Sequence, residues 1–316
     1  MEGGMQQRDG VAHADYGKEP AVLVLADNAQ AQATAKAAVI AAGGRVAAAV
    51  PLGEALARLD AQVAIDALMI ELTEDAGAAL DALLDRVEAL ARDGRCVTVI
   101  AMPTALIDVV SARIDHADIH LLCEPDAIER AAAIGGALAT RRTWLNDVGS
   151  EAETRRLQQL SEEVGRIART LASLSQEALD ARGRDAMLGD RAPAYRAEPA
   201  PPLAAPVIRA VIRARRLRDR FFHAELFADP AWDMLLDLMA ARIERGEVAV
   251  SSLCIAAAVP PTTALRWIRT LTDDGLLVRR ADPADGRRVF IALSDSAAAG
   301  MNGYFSALAQ TGAIAI

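Results

Sequence analysis

Aromatic residues are scarce in this chain of 316 residues, at 3% of the total. A chain so poor in large rings must build its cores from aliphatic side chains, and a hydrophobic fraction of 53% supplies them. This composition excludes an intrinsically unfolded chain and favours folded α-rich or α/β units. The length is suited to two or three domains of ordinary size.

Cysteine is rare as well, and its spacing is uninformative for metal binding. Cys96, Cys123 and Cys254 are scattered, which excludes a disulfide framework and a zinc knuckle. We expect Cys123 and Cys254 to be buried, unreactive thiols. A reducing cytoplasm is the expected location.

No stretch of the sequence has the character of a signal peptide or a membrane span. The first twenty residues are polar and are expected to form a disordered leader. One long uncharged stretch, residues 248–265, contains serine, threonine and two prolines, which excludes a membrane helix there. A Walker loop, a nucleophile elbow, a CxxC pair and an HExxH motif are also missing. We therefore expect a protein that is not an enzyme, needs no cofactor or metal and has no membrane partner.

Charge is segregated along the chain. Residues 207–300 hold 14 basic and 12 acidic side chains, whereas residues 1–206 hold 20 basic and 31 acidic ones. The first part is therefore strongly acidic and the second slightly basic.

Between Ala21 and Asp126, short aliphatic runs alternate with longer alanine-rich amphipathic ones. This alternation is typical of a parallel sheet with helices on both faces. Gly43 and Gly94 lie where helices are expected to stop, because glycine accepts the left-handed conformation. We predict a doubly wound α/β domain over residues 21–126. Its five predicted strands are AVLVLA, RVAAAV, AIDALMI, CVTVIA and IHLLC.

A long helical stretch without proline follows over residues 127–188. Aliphatic residues recur there in steps of three and four, the pattern of a coiled-coil seam. So narrow a stripe favours a parallel dimer with a second copy, although packing on the chain's own domains is the alternative. The seam residues are Leu157, Leu160, Val164, Ile167, Leu171 and Leu174.

A proline- and alanine-rich segment, residues 189–206, is predicted to be an extended linker. A separate domain, residues 207–316, follows it. There we predict two helices, then a short helix capped by Ser251 or Ser252, then a helix opened by Pro260 and Pro261. Gly275 ends that helix, and two aliphatic runs joined by an Asp-Pro and Asp-Gly turn predict a hairpin.

The helix opened by the two prolines has one apolar and one polar side. Ala264, Ile268 and Leu271 cluster on the apolar side, with Leu265 at its margin. No acid occurs from residue 261 to residue 272, whereas a merely solvated face usually mixes acids with bases. Arginine and threonine suit base edges in the major groove of DNA. The polar residues, which we predict to contact duplex DNA, are Thr262, Thr263, Arg266, Arg269 and Thr270.

The order of helix, helix, turn, helix and hairpin resembles a winged helix-turn-helix domain, most closely the MarR-type regulators. The resemblance spans about residues 231–295, and its most specific string is DDGLLVRRADPADGRRVFIALSD. It implies an α+β fold and a wing that contacts DNA. Of the arginines around the wing, Arg287 and Arg288 are the best candidates, with Asp282 or Asp285 orienting an arginine. The sequence departs from the family at Pro260-Pro261, where the family commonly has a serine cap. The residues of this helix that contact bases are therefore fixed only to within one position along the chain.

The first domain resembles a response-regulator receiver, in which acidic residues at the strand ends surround a phosphoryl acceptor. Here Asp27 stands alone after the first strand, Glu71 is at the acceptor position, and Glu124 stands where the family has a lysine. These changes predict a degenerate receiver that works without phosphorylation. The three carboxylates are expected to meet at one sheet edge, where a magnesium site is an alternative.

Two further clusters of side chains each have a functional and a structural interpretation. His116, His120 and Cys123 suggest a metal site, but strand alternation puts His120 and Cys123 on opposite faces. The cluster in the leading helix of the last domain could contact phosphates, although dimer packing or solubility is the commoner role. Its members are Arg209, Arg213, Arg215, Arg216, Arg218 and Arg220.

The sequence thus predicts a dimeric DNA-binding transcriptional regulator, with a possible protein partner at the receiver-like domain. One alternative is a response regulator phosphorylated at an atypical acceptor. Another is a scaffold whose basic surface binds an acidic protein in place of DNA.

Overall fold

The computed structural model describes residues 19–61, 65–94, 96–146 and 203–311. The chain divides into two units, one up to Leu138 and one from Ala139 onward. Most of the expected leader, the whole heptad seam and most of the expected linker lie outside the described residues.

The N-terminal unit contains a five-stranded sheet in the order β2-β1-β3-β4-β5, with every pair parallel. This is the order of flavodoxin-like doubly wound sheets, and the predicted parallel α/β fold is confirmed. The strands are β1 (Ala21–Ala26), β2 (Arg45–Pro51), β3 (Ala67–Glu71), β4 (Val97–Met102) and β5 (Ile119–Cys123). The helices are α1 (Ala29–Ala41), α2 (Leu52–Ala61), α3 (Ala78–Arg92), α4 (Ile107–Arg113) and α5 (Ala127–Asn146).

Both faces of this sheet are covered, because the strands carry apolar side chains on each side. On one face Val22 and Val24 of β1 pack with Val39 of α1 and Ile134 of α5. Helices α2, α3 and α4 contact one another in turn along the other face. Since the faces of the sheet are filled, polar side chains that can meet a ligand are concentrated at its carboxyl edge.

Over residues 203–311, the C-terminal unit combines five α-helices with a three-stranded antiparallel sheet in the order β6-β8-β7. The helices are α6 (Ala205–Leu217), α7 (Pro230–Glu244), α8 (Val250–Ala257), α9 (Pro261–Asp273) and α10 (Asp295–Gln310). The strands are β6 (Val248–Ala249), β7 (Leu277–Ala281) and β8 (Val289–Leu293). The expected order of helix, helix, turn, helix and hairpin is present.

Local signals in this unit were partly misassigned from the sequence. Ala249, not Ser251 or Ser252, precedes the first residue of α8, and no side chain caps that helix. The sequence did not predict α10, although Ser294 caps it by accepting the amide hydrogen of Ala297 at 3.2 Å. Phe305 of α10 is fully buried, so this helix completes the core.

Among the helices of residues 19–61, 65–94, 96–146 and 203–311, none combines the length and the apolar character that crossing a bilayer requires.

Candidate nucleic-acid interface

Helix α9 is the centre of the candidate interface. Pro261 occupies its first position, where the fixed φ of proline suits a helix start. No side chain caps the helix, and the amide of Ala264 donates to the carbonyl of Pro260 at 3.0 Å. Because Pro260 and Pro261 lack amide hydrogens, the helix begins with fewer backbone donors than a serine-capped helix would have.

Packing fixes the orientation of α9. Ala264, Leu265, Ile268 and Leu271 are buried, and the helix contacts α7, α8 and β7. Leu265, expected at the margin of the apolar side, is only 7% exposed and belongs to the core. The polar face therefore points away from the core of this unit.

The predicted reading residues differ in exposure. Arg266 and Thr270 are exposed, whereas Thr262, Thr263 and Arg269 are half-buried. The Thr270 hydroxyl donates to the carbonyl of Arg266 at 3.1 Å. Since its hydrogen is used inside the helix, this hydroxyl offers DNA an acceptor in the observed rotamer.

Two acidic residues limit the polar face at its C-terminal end. Asp273 and Asp274 are exposed there, after a run without acids from residue 261 to residue 272. Carboxylates repel phosphates. The end of this face is therefore less favourable for a polyanion than its first turns are.

The hairpin loop between β7 and β8 is shaped by its own aspartates. Asp282 accepts the backbone amides of Ala284 at 2.8 Å and Asp285 at 3.3 Å. Asp285 accepts the amide of Arg287 at 2.9 Å. Such side-chain-to-backbone bonds are the reason why aspartate is common in turns.

The arginines of the hairpin alternate in exposure. Arg280 and Arg288 are exposed, and Arg279 and Arg287 are half-buried. Arg280 faces Phe290 across the ladder. Of the two predicted wing residues, Arg288 is therefore the more accessible, and Arg280 joins it as a candidate that the sequence did not single out.

The basic cluster of α6 is largely engaged inside the C-terminal unit. Arg209 donates to Asp237 at 2.6 Å and to Glu244 at 2.9 Å, both on α7. The hydrogen bond from Arg209 lowers the pKa of Glu244 below its usual range. This arginine thus joins two helices within the unit, a role different from the dimer packing or solubility that the sequence predicts for the cluster.

The later arginines of the cluster show the same behaviour. Arg215 and Arg216 both face the buried carboxylate of Asp233. Arg218 lies over the ring of Phe227, 4.7 Å from its centre, a cation–π contact. These contacts favour packing over phosphate binding for Arg215 and Arg216 and for Arg218, which follows α6, whereas Arg213 and Arg220 are exposed.

In the N-terminal unit, Asp27 is held by the loop that follows β3. The Thr73 hydroxyl donates to Oδ2 of Asp27 at 2.9 Å, and the amide of Glu74 donates to the same oxygen at 3.1 Å. Asn28 donates to Oδ1 of Asp27 at 3.1 Å and also caps α1 through Ala31. The carboxylate therefore fixes the loop against the first strand.

Glu71 is paired with Arg130 of α5. Nη2 of Arg130 donates to Oε1 at 2.7 Å, and Nε donates to Oε2 at 3.0 Å. The side chains are only 7% and 16% exposed. Arg130 also donates to the carbonyl of Pro125. This two-pronged arrangement is the strong form of an arginine–carboxylate pair.

Glu124 follows β5 in a left-handed conformation with φ of 49°. Thr104 donates to its carboxylate through both its hydroxyl and its backbone amide. These hydrogen bonds, the hydroxyl first, lower the pKa of Glu124 below its usual range. The residue is therefore held as a carboxylate at neutral pH.

The three predicted pocket carboxylates thus have three different sets of partners. Asp27 bonds to Thr73, Glu71 to Arg130 and Glu124 to Thr104. Within the described ranges no group of three His, Cys, Asp or Glu side chains is arranged to hold a metal ion. The alternative of a magnesium site therefore has no ligand cluster to support it in that part of the chain.

The suggested metal set of His116, His120 and Cys123 is also separated by the fold. His120 is exposed on the edge strand β5, whereas Cys123 is buried. Burial raises the pKa of the Cys123 thiol to about 11, with a smaller contribution from Glu124. The expected burial of Cys123 and Cys254 is confirmed.

Arg130 was missed in the sequence, although a signal for its position exists. Asp126 accepts the amide of Glu129, and Glu129 accepts the amide of Asp126, at 2.8 and 2.9 Å. This reciprocal pair is a capping box, which marks the start of a helix. It puts Arg130 in the first turns after β5, at the sheet edge where Glu71 ends β3.

No protein-family model matches the chain, and no curated protein does either. Solved structures that match part of it are transcriptional regulators of the MarR type. A probable transcriptional regulator from Pseudomonas aeruginosa is 29% identical over 32% of this chain and 76% of its own, with a TM-score of 0.23. A transcriptional regulator from Thermotoga maritima is 18% identical over 35% and 80%, with a TM-score of 0.21.

BpsR of Bordetella bronchiseptica, whose DNA binding is regulated by 6-hydroxynicotinic acid, is 20% identical over 33% of this chain and 74% of its own. Its TM-score is 0.21. Likenesses of this extent describe about a third of the chain and do not assign it to a family.

Proposed function

We propose that this protein is a dimeric, sequence-specific DNA-binding transcriptional regulator without enzymatic activity. Helix α9 reads bases in the major groove, and the hairpin contacts the backbone or the adjacent minor groove. The N-terminal unit is a receiver-like sensory or protein-interaction domain that works without phosphorylation.

The observation that carries the DNA-binding proposal is the character of the outward face of α9. Arg266 is exposed one turn before exposed Thr270, on a face that has no acid until Asp273. Arginine grips guanine with two hydrogen bonds, and threonine offers a hydroxyl and a methyl group. Arg288 and Arg280 add exposed cations on the neighbouring hairpin, as a polyanion requires.

The state of Glu71 supports independence from phosphorylation. An acceptor carboxylate must be available to attack a phosphoryl donor, but Glu71 is buried and hydrogen-bonded to Arg130. Hence we propose that the unit signals through a bound partner and needs no covalent change.

The proposal of a dimer rests on the heptad pattern of Leu157 to Leu174. A parallel pair of such helices would present two reading helices to two half-sites of a DNA duplex. Sedimentation of the full chain tests this point, because a monomer at micromolar concentration would exclude it.

The experiment that tests DNA binding begins with selection of bound duplexes from a random pool, followed by titrations at several salt concentrations. Arg266→Ala is expected to cost about 1 to 3 kcal/mol on the selected duplex and to relax the preference at one base pair. Arg288→Ala is expected to weaken all duplexes alike and to lower the salt slope by about one. Arg45→Ala, which removes an exposed arginine from the N-terminal unit, is the control that should change neither.

Two outcomes would contradict this assignment. If no duplex is enriched and binding is undetectable at low salt, the C-terminal unit is a protein-binding scaffold. If Arg266→Ala binds the selected duplex as well as Arg45→Ala does, α9 is not the reading helix.

A further inference from the structure

A buried carboxylate at the back of the helix-turn-helix attracts two neighbouring arginines. Asp233 of α7 has a side chain that is 8% exposed. Nε of Arg215 donates to its Oδ1 at 2.8 Å, and Nη2 of Arg216 lies 3.6 Å from its Oδ2. Both arginines belong to α6, so one carboxylate fixes the end of α6 against α7.

Arg216 also reaches the turn of the helix-turn-helix. The same Nη2 atom donates to the carbonyl of Ala256, in the last turn of α8. The carbonyl groups at the end of a helix lack intrahelical partners, and a guanidinium is a strong donor for them. Arg216 therefore connects Asp233 with the end of the helix that precedes the reading helix.

The turn beyond Ala256 has an unfavourable backbone. Ala258 adopts the left-handed conformation with φ of 52°, and its amide donates to the carbonyl of Ile255 at 3.2 Å. In this region the Cβ of alanine crowds the backbone, which glycine avoids. Such a conformation persists when the surrounding structure holds it, and the Arg216 contact is one part of that surrounding structure.

We propose that Arg216 is a positioning residue for DNA reading, which holds the end of α8 through Ala256 and thereby sets where α9 begins. Only residues 258–260 separate α8 from α9, so a shift of Ala256 passes directly to Pro261. This inference rests on the proposed DNA-binding function, and it gives Arg216 a role other than phosphate contact.

The burial and the partners of Arg216 distinguish a positioning role from contact with a DNA phosphate. Its side chain is 34% exposed, and Nη2 faces Asp233 and Ala256. Arg213, three residues earlier on the same helix, is exposed. A phosphate contact would require the guanidinium to leave two acceptors, whereas a positioning role requires that it stay on them.

The test compares Arg216→Met with Arg213→Met, which removes the same charge from an exposed position of α6. We measure affinity for a selected duplex and for a scrambled duplex at several salt concentrations. Arg216→Met is expected to bind the selected duplex about tenfold more weakly than Arg213→Met does, as for loss of a charged hydrogen bond. The two variants should have equal affinities for the scrambled duplex and equal salt slopes.

Hydrogen exchange in the DNA-free protein provides an independent measurement. Arg216→Met should accelerate exchange of the Ala258 amide, whereas Arg213→Met should not. Arg216→Lys, which keeps the charge but reaches fewer acceptors at once, should give intermediate values in both experiments. Circular dichroism confirms that each variant is folded, and the lysine variant serves if the methionine variant is not.

The outcomes distinguish the two proposals. If the parent prefers no duplex but Arg216→Met accelerates exchange at the turn, the DNA-binding function fails and Arg216 only holds the turn, which overturns its role in reading. Suppose instead that the parent protein prefers the selected duplex, and that Arg216→Met and Arg213→Met have the same ratio of affinities for the selected and scrambled duplexes. In that case the DNA-binding function stands and the positioning role of Arg216 is wrong. A salt slope lower by about one in Arg216→Met would identify a phosphate contact and also overturn it.

Discussion

Arg130 and Glu71 form a buried ion pair at the carboxyl edge of the parallel sheet, with hydrogen bonds of 2.7 and 3.0 Å. The carboxylate ends β3, and the guanidinium comes from the first turns of α5. Since an acyl phosphate on Glu71 would form through one of the two oxygens that Arg130 holds, the pair bears directly on whether the unit can be phosphorylated.

The first prediction concerns phosphorylation. Incubation of the full chain with acetyl phosphate and Mg²⁺ should give no stoichiometric labelling, because Glu71 is buried and held by Arg130. Intact mass measurement detects the addition of one phosphoryl group. Glu71→Gln is the matched control. Labelling that appears in the parent and disappears in this variant would establish the atypical acceptor instead.

A second prediction concerns the stability of the N-terminal unit. Arg130→Met leaves the Glu71 carboxylate buried without its cation, which should cost about 3 kcal/mol. Hydrogen exchange of the β1 amides in the full chain reports the free energy of opening. Arg86→Met breaks a more exposed pair with Asp60 and should cost less than about 1 kcal/mol. Equal losses of stability in the two variants would show that burial does not make the Glu71–Arg130 pair more important than the exposed pair.

Glu124 gives a prediction of pH dependence. Thr104 lowers the pKa of Glu124 in the folded state, so the contact stabilises the fold above the ordinary carboxyl pKa. That contribution is lost as the pH falls through the lowered pKa. In Thr104→Val the pKa of Glu124 should rise toward its ordinary value, as followed by NMR titration of the carboxyl carbon. Thr73→Val, whose hydroxyl serves Asp27, should leave the pKa of Glu124 unchanged.

At Ala258 we predict that substitution by glycine stabilises the protein, whereas glycine usually lowers the free energy of unfolding. Because its φ is 52°, Ala258→Gly should stabilise the C-terminal unit by about 1 kcal/mol. Ala299→Gly, at an exposed position inside α10, should destabilise it by about 1 kcal/mol. Denaturant unfolding followed by tryptophan fluorescence measures both, since Trp232 and Trp267 lie in this unit. Destabilisation by Ala258→Gly would show that the turn is not strained.

The fold of the described units was predictable to a large extent, because periodicity reflects burial. The strands AVLVLA and IHLLC were predicted at the bounds that β1 and β5 have. Helix α10 was not predicted, although Ser294 marks its start by accepting the amide hydrogen of Ala297. The N-cap of α8 was also misassigned, because a serine near the start of a helix does not by itself show which residue is the N-cap.

The candidate sites were only partly predictable. The acid-free face of α9 follows from the sequence, but the exposure of Arg280 and the partial burial of Arg287 follow from the hairpin register and its loop. The role of Arg216 depends on Asp233 and Ala256, which are 17 and 40 residues away along the chain. No local pattern encodes such a contact.

By itself, the sequence determined the alternation of strands and helices in the N-terminal unit, the division of charge and the polar character of α9, since each depends on residues close together in the chain. Only the tertiary structure decided which charges meet. Glu71 finds Arg130 because β3 and α5 end and begin at the same sheet edge, and Asp233 finds Arg215 and Arg216 because α6 packs on α7. Ion pairs between distant residues depend on packing geometry, which one-dimensional periodicity does not contain.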